Sequence, residues 1–270
     1  MLAGIFDLTG RTALVTGGSR GIGRMIARGF LEQGATVYIC ARKREACDRA
    51  AAEMSVEAGG EPRCFSLPAD LSSVEGARDL AARLHARSPR LDILVNNAGA
   101  AWAAPFDDFP ENGWDKVVDL NLKSPFFVTQ ALAGALRAAA SPERPAKVIN
   151  IASIDGIFVN PLETYPYAAS KAGLIHLTRR MAARLAPEHV LMTAIAPGPF
   201  GSDMNRDARD NADGVASRVP AGRVGRDEDM AAAAVYLASR AGDYVVGTTL
   251  TVDGGVAYAR TGFDGAGWDT

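Results

Sequence analysis

Tyr167 and Lys171 stand four residues apart in the run Tyr167-Ala168-Ala169-Ser170-Lys171, inside a stretch of helical periodicity. On a helix such a pair shares one face. A neighbouring ammonium favours phenolate and draws a tyrosine pKa down from its ordinary value of about 10. A phenol tuned in that way exchanges a proton with a substrate oxygen near neutral pH. Far upstream lies a second chemical signal, Thr16-Gly17-Gly18-Ser19-Arg20-Gly21-Ile22-Gly23, between an apolar strand and a helix. Glycines there let the backbone approach a pyrophosphate, while the helix N-terminus offers free N–H groups and positive potential. A nucleotide turn combined with a tunable phenol implies hydride transfer to or from a carbonyl.

The spacing of the turn is Gly-x-x-x-Gly-x-Gly, which departs from the Gly-x-Gly-x-x-Gly fingerprint. The next strand ends Ile39-Cys40-Ala41-Arg42-Lys43, where an NAD site carries an acidic residue on the ribose diol. Here Ala41 leaves room for a phosphate on the 2′ oxygen and Arg42 attracts it. Arg20, in the glycine turn, is within reach of the same phosphate. NADPH is therefore expected in preference to NADH.

These residues need a scaffold, and the rest of the chain supplies one. Short β-rich runs occur at Thr12–Val15, Thr36–Cys40, Arg63–Leu67, Ile93–Val95, Val148–Ile151, Met192–Ile195 and Thr249–Val252. Most are continuously apolar, as strands covered on both faces are. Helical patterns alternate with them near Gly21–Gln33, Arg44–Ala58, Val74–Arg87, Gly113–Ala139, Pro166–Ala186 and Asp227–Ala238. Strand then helix, repeated, predicts an α/β fold: a single Rossmann-like doubly wound domain over residues 1–270, with a seven-stranded parallel sheet and helices on both faces. The segment 197–224 is long, polar and weakly periodic, and reads as a loop over the substrate. The glycine-rich end, 260–270, reads as a loose tail.

Composition removes other classes of function. Lys and Arg number 29 against 31 Asp and Glu, a net charge of −2, so neither nucleic acid nor an anionic membrane is an expected partner. No uncharged run approaches the roughly 18 apolar residues that span a bilayer, and the N-terminus lacks a basic stretch followed by an apolar core. Cys40, Cys47 and Cys64 are odd in number and lack Cys-x-x-Cys spacing. That pattern suits a reducing cytoplasm. His85, His176 and His189 have no paired ligand spacing, so no catalytic metal is expected. Gly-x-Ser-x-Gly is absent around Ser153, against a serine hydrolase. Trp102, Phe106, Phe109 and Trp114 read chiefly as core or interface aromatics, the alternative being the lining of a substrate pocket with Met204 as one apolar wall.

The ordered set Thr16-Gly17, Gly21-x-Gly23, Asp70, Asn96-Asn97-Ala98-Gly99, Asn121, Ser153, Tyr167-x-x-x-Lys171 and Pro197-Gly198 resembles the short-chain dehydrogenase/reductases over nearly the whole chain. By that resemblance Tyr167 is the acid–base residue, and Lys171 lowers its pKa and binds the nicotinamide ribose. Ser153 holds the substrate carbonyl and Asn121 positions a water that links the lysine to solvent. Asn121 is also a local inconsistency, because asparagine competes for backbone bonds inside a helix. The fourteen residues from Ser153 to Tyr167 are slightly more than the family usually has.

The resemblance further implies a cofactor site formed by Gly17, Ser19, Arg20, Gly21, Ile22, Gly23, Arg42, Asp70, Leu71, Asn97, Ala98, Gly99, Tyr167, Lys171, Pro197, Gly198 and Ser202. Ser202 stands where threonine is common. Within the family, the Ile39–Arg42 and Ile149–Ile151 segments and the long step to Tyr167 look most like bacterial NADPH-dependent 3-oxoacyl reductases, the rhamnolipid-associated branch. A ketone, best a 3-oxoacyl thioester, is then the small-molecule partner, and the assembly a homotetramer or homodimer. The alternatives are an NAD(P)-dependent alcohol, sugar or polyol dehydrogenase of the same family, and a dinucleotide-binding regulator without turnover.

Overall fold

Seven apolar strands lie side by side and all run parallel in the computed structural model, which describes residues 4–59 and 63–259. They are β1 (Thr12–Thr16), β2 (Thr36–Cys40), β3 (Cys64–Ser66), β4 (Ile93–Asn96), β5 (Ala146–Ile151), β6 (Val190–Pro197) and β7 (Thr249–Val252). Their order across the sheet is β3-β2-β1-β4-β5-β6-β7. The chain winds outward from β1 to β3, returns to β4, and winds outward again. The reversal between β1 and β4 is the switch point where such sheets bind ligands.

Alternate strand residues feed two cores, because successive side chains point to opposite faces. On one face Ala13, Val15, Val37, Ile39, Ile93, Val95, Ile149 and Ile195 pack against α1 (Gly21–Glu32), α2 (Arg44–Glu57) and α9 (Asp227–Ala238). On the other, Leu14, Tyr38, Leu94, Val148 and Met192 meet α3 (Val74–His85), α5 (Ser124–Ala139) and α6 (Tyr165–Leu185). The doubly wound expectation thus holds, and every predicted strand and helix has a counterpart.

Two predicted stretches differ. The pattern over Gly113–Ala139 is not one helix: α4 (Glu111–Val118) leads through a π-helical turn, Asp119–Lys123, into α5. The segment read as a loop from 197 to 224 contains two short helices, α7 (Arg206–Asp210) and α8 (Ala212–Ala216). Each has five residues, too few for a periodic signal to register. The Asn205 side chain starts α7 by accepting from the Ala208 N–H at 3.1 Å. The tail expected at 260–270 lies outside the described residues.

The amino end of the sheet is closed by charge. Arg11, next to β1, contacts Asp92, next to β4, at 3.3 Å, and Asp92 also accepts from the Thr12 N–H at 2.9 Å. Lys147, in β5, lies 2.7 Å from the Asp243 carboxylate. No helix among the described residues is long and apolar enough to cross a membrane, and no metal-ligand cluster occurs among them.

Candidate active site

At the carboxyl end of β1 the glycine turn is held in shape by residues arriving from β4. The Asn97 amide donates to the Thr16 and Gly17 carbonyls at 2.9 and 3.2 Å. Thr16 Oγ1 in turn accepts from the Asn97 and Ala98 N–H groups at 2.9 and 3.0 Å. Gly17 and Gly21 have φ of 66° and 52°, the left-handed region that glycine occupies without steric cost. A Cβ on Gly23 would stand 2.3 Å from the Gly17 carbonyl oxygen, and one on Gly18 would stand 2.7 Å from Ile39. Only an unsubstituted backbone fits, which leaves the helix N-terminus open to a phosphate. Ser19 and Ile22 lie within this turn and the first turn of α1.

On the adenosine side, Asp70 Oδ1 accepts from the Ser72 N–H at 3.0 Å. That bond and the positive charge of Arg42 hold its carboxyl below the usual aspartate range. Leu71 is buried beside it, and the Ala69 N–H donates to the Ala41 carbonyl at 3.1 Å. Arg42 is exposed and makes no ion pair among the described residues. The cradle therefore fits a dinucleotide carrying a 2′-phosphate: glycines for the pyrophosphate, a free guanidinium and no acidic residue at the end of β2. Arg20 does not join Arg42. Its guanidinium is turned to Asp203 at 2.5 Å, across to the segment that comes after β6. In this state it serves the loop rather than a phosphate.

Ser202 lies against the same turn, its Cβ 3.3 Å from where a Gly21 Cβ would stand, and its Oγ accepts from the Asn205 N–H at 3.1 Å. Pro197 ends β6, and the Gly198 N–H donates to Val252 at 3.0 Å. A Gly198 Cβ would meet the Asp253 backbone at 2.6 Å. These residues border the cradle opposite Asp70.

The chemistry converges beyond β5. Ser153 leaves the strand in extended backbone and caps a 3₁₀ turn, Ile154–Gly156, its Oγ accepting from the Asp155 N–H at 3.1 Å. Tyr167 and Lys171 share a face of α6, and Lys171 Nζ lies 5.5 Å from the centre of the Tyr167 ring. Lys171 is only 4% exposed, and its ammonium donates to the Ile151 carbonyl at 2.7 Å. Asn121 is 1% exposed. Its Oδ1 accepts from the Ala100 N–H at 2.8 Å, and its amide donates to the Ala100 carbonyl and to Ser170 Oγ at 2.9 and 3.2 Å. A Gly99 Cβ would stand 3.2 Å from that same Oδ1. The π turn explains how asparagine sits mid-helix: such turns add a residue and appear at functional sites. Asn121 thereby links the Asn97–Gly99 turn to α6.

The direction of one expectation reverses. Burial pushes the Tyr167 phenol up to about 12, outweighing the downward pull of its hydrogen bond with Ser153, and Asp155 adds to the rise. Burial likewise lowers Lys171 to about 8, against an upward pull from Asp155. Desolvation dominates both groups, and the ammonium is directed to the Ile151 carbonyl. At neutral pH the site presents a neutral phenol above an ammonium.

Three features have no counterpart in the sequence pattern. Asn96 donates to Asn150 Oδ1 and Thr129 Oγ1 at 2.8 and 3.0 Å, and Asn150 donates to Thr178 Oγ1 at 2.9 Å. This buried chain fastens β4, β5, α5 and α6 under the site. Asp155 brings a carboxylate to Lys171 and Tyr167. Tyr165, two residues before Tyr167, gathers Phe106 and Phe109 at 5.7 and 5.8 Å between ring centres. Phe109 meets Trp114 at 6.4 Å. Phe106 is 72% exposed and Trp114 43%, so these two are not core aromatics, which leaves the interface or pocket reading for them. Trp102 is half-buried, with Gly113 against its ring face and Lys116 Nζ 5.0 Å from its ring centre. Met204 is exposed.

The sheet, the glycine cradle and the Ser-Tyr-Lys cluster define an oxidoreductase on a dinucleotide-binding scaffold. Residues 17–257 match the family described as enoyl-(acyl carrier protein) reductase. Over 253 residues the chain is 49% identical to the rhamnolipids biosynthesis 3-oxoacyl-[acyl-carrier-protein] reductase of Pseudomonas aeruginosa, covering 93% of this chain and 97% of that protein. It is 34% identical over 255 residues to the gluconate 5-dehydrogenase of Gluconobacter oxydans, covering 93% and 96%. The Pseudomonas aeruginosa RhlG/NADP active-site complex superposes with a TM-score of 0.90 at 48% identity, covering 94% of this chain and 98% of that one. The chain belongs to the short-chain dehydrogenase/reductase family.

Proposed function

We propose that the protein is an NADPH-dependent reductase that converts a 3-oxoacyl thioester to a 3-hydroxyacyl thioester. The observation that carries the chemistry is the placement of the Tyr167 phenol, the centre of its ring 5.5 Å from the buried Lys171 ammonium, beyond the strand end where Ser153 caps its turn. The nicotinamide, when bound, supplies the hydride. Gly17–Gly23, Arg42, Asp70, Leu71, Asn97–Gly99, Lys171, Pro197, Gly198 and Ser202 are the residues that would hold the dinucleotide. Ser153 donates to the keto oxygen and is aimed at the charge that grows there. Tyr167 delivers its proton to that oxygen, which leaves an alcohol and a phenolate, and Lys171 stabilises the phenolate as it forms. Asn121 holds α6 in place and carries the proton path from Lys171 outward.

The thioester assignment draws on the 49% identical reductase and on apolar surface at the mouth. Phe106, Phe109, Tyr165 and Leu162 offer a wall to an acyl chain where a sugar would need donors and acceptors. The segment 197–224 is the substrate loop in this reading. The protein is a homotetramer or homodimer, paired through α5 and α6, and it works in the cytoplasm. Three free, buried cysteines suit that compartment.

The test is the initial rate of NADPH oxidation with 3-oxoacyl thioesters of short, medium and long chain, with a simple diketone as control. Rates that climb with chain length support the thioester. Turnover of the diketone and of keto-sugar acids alone overturns it and keeps the reductase. Dinucleotide binding without turnover of any carbonyl identifies a regulator.

A further inference from the structure

Asp155 is the acidic group acting on Lys171 among the described residues, and it also acts on Tyr167. It reaches them by construction. The 3₁₀ turn that carries it starts at Ser153, and its backbone N–H donates to Ser153 Oγ at 3.1 Å. This takes one lone pair of the serine oxygen and leaves its hydrogen and second lone pair for the phenol and a substrate. Gly156 presses the turn onto α6: a Cβ there would stand 2.6 Å from the Lys171 carbonyl carbon. The turn, Ser153 and the lysine backbone therefore move as one piece. The Asp155 carboxylate is half-buried, and burial raises its pKa above the usual aspartate range while Lys171 pulls it back.

We propose that Asp155 is a positioning residue of the reaction, the counter-charge of the Lys171 ammonium and the residue whose backbone fixes the Ser153 hydroxyl. Lys171 makes its one hydrogen bond to a neutral carbonyl, Ile151. An ammonium buried without a counter-ion is costly, and Asp155 supplies one without binding the lysine directly in a way that would immobilise it. The titratable groups facing this point are Lys171 and Tyr167 from α6 and Asp155 from the turn. The π turn presents the neutral Asn121, and β5 a backbone carbonyl.

A nearby negative charge favours the protonated forms of both the phenol and the amine. Carbonyl reduction needs the phenol protonated, so its rate falls as pH rises through the phenol's ionisation. Removing the charge of Asp155 moves that fall to lower pH. This role rests on the reductase reading for its kinetic arm, so a second arm omits turnover.

In the kinetic arm, kcat/KM for NADPH-dependent reduction of a simple diketone is followed against pH for wild type, Asp155→Asn and Asp155→Glu. The alkaline limb should move down by roughly one pH unit in Asp155→Asn and stay near its wild-type position in Asp155→Glu. In the second arm the phenolate absorbance of the nucleotide-free protein is titrated, with Tyr167→Phe subtracted to isolate one phenol. Asp155→Asn should lower that midpoint as well. Superimposable titrations of wild type and Asp155→Asn overturn the role, whatever the substrate proves to be. Absent turnover with a shifted phenol overturns only the reductase reading.

Discussion

Two lysines are buried in the described part of this molecule, at opposite ends of one sheet. Lys147, at the amino end, is 2% exposed and lies 2.7 Å from the Asp243 carboxylate, a charge contact without hydrogen-bond alignment. Lys171, at the carboxyl end, bonds a neutral carbonyl and feels its nearest acid only through space. Burial lowers the pKa of both, and Asp243 and Asp155 respectively pull back. Paired charge at the amino end fastens strands together. At the carboxyl end the ammonium keeps its field available to the phenol above it. The same residue type is structural or chemical according to where its counter-ion stands.

The contrast is best broken at the chemical end. Tyr167→Phe should cut turnover by about 10²–10⁴-fold while dinucleotide binding, read by fluorescence titration, stays near wild type. A variant that still reduces carbonyls at the wild-type rate removes the proton donor from the account. Asp243→Asn is the counterpart at the other end. It leaves Lys147 buried without its counter-ion, a loss of about 3 kcal/mol in urea denaturation, lessened by the partial exposure of Asp243. Turnover per folded molecule should not change, and a matching loss of kcat would erase the distinction.

Smaller effects sharpen the nucleotide half. Arg42→Ala removes a charge-assisted bond worth about 1.5–3 kcal/mol, so NADPH affinity should drop roughly 10- to 100-fold with NADH nearly untouched. Equal losses for the two would reassign the phosphate. Asp203→Asn breaks the ion pair to Arg20 between exposed side chains, for which less than about 1 kcal/mol is expected. Because it also frees Arg20, NADPH should bind slightly tighter, and tighter NADH binding to the same degree would deny Arg20 a part in reading the 2′ position.

Much of this is legible in the sequence because it depends on local rules. Runs such as Ala13-Leu14-Val15 and Ile93-Leu94-Val95 declare two-sided burial, and Gly17 and Gly23 declare a backbone that nothing else permits. Asn121 announces itself as a residue out of place in a helix. Features that fail to show depend on the fold as a whole. The Tyr167–Lys171 spacing foretells proximity but not desolvation, which sets the phenol's direction. Asp155 is one acid among many in the sequence, and only the turn pressed onto α6 by Gly156 makes it a neighbour of Lys171. The Asn96–Asn150–Thr178 chain joins residues from three elements, and no local pattern links them. Tyr165 looks like a helix-start residue until Phe106 and Phe109 arrive from a different loop.

The π turn at Asp119–Lys123 has a consequence for orientation. Val117 and Val128 are eleven positions apart, three turns of a regular helix, and on an unbroken helix they would look the same way. The additional residue rotates the stretch before it by about 100° relative to the stretch after it. Accordingly α5 faces α3 and the strands β4 and β5, while α4 is swung onto α6, with Gly113 under the Trp102 ring. Deleting one residue between 119 and 123 would give a smoother helix and a misaimed one, with α4 turned off α6 and Asn121 lifted away from Ala100 and Ser170. The helix carries a phase offset of a single residue, and the catalytic end of the molecule is in register because of it.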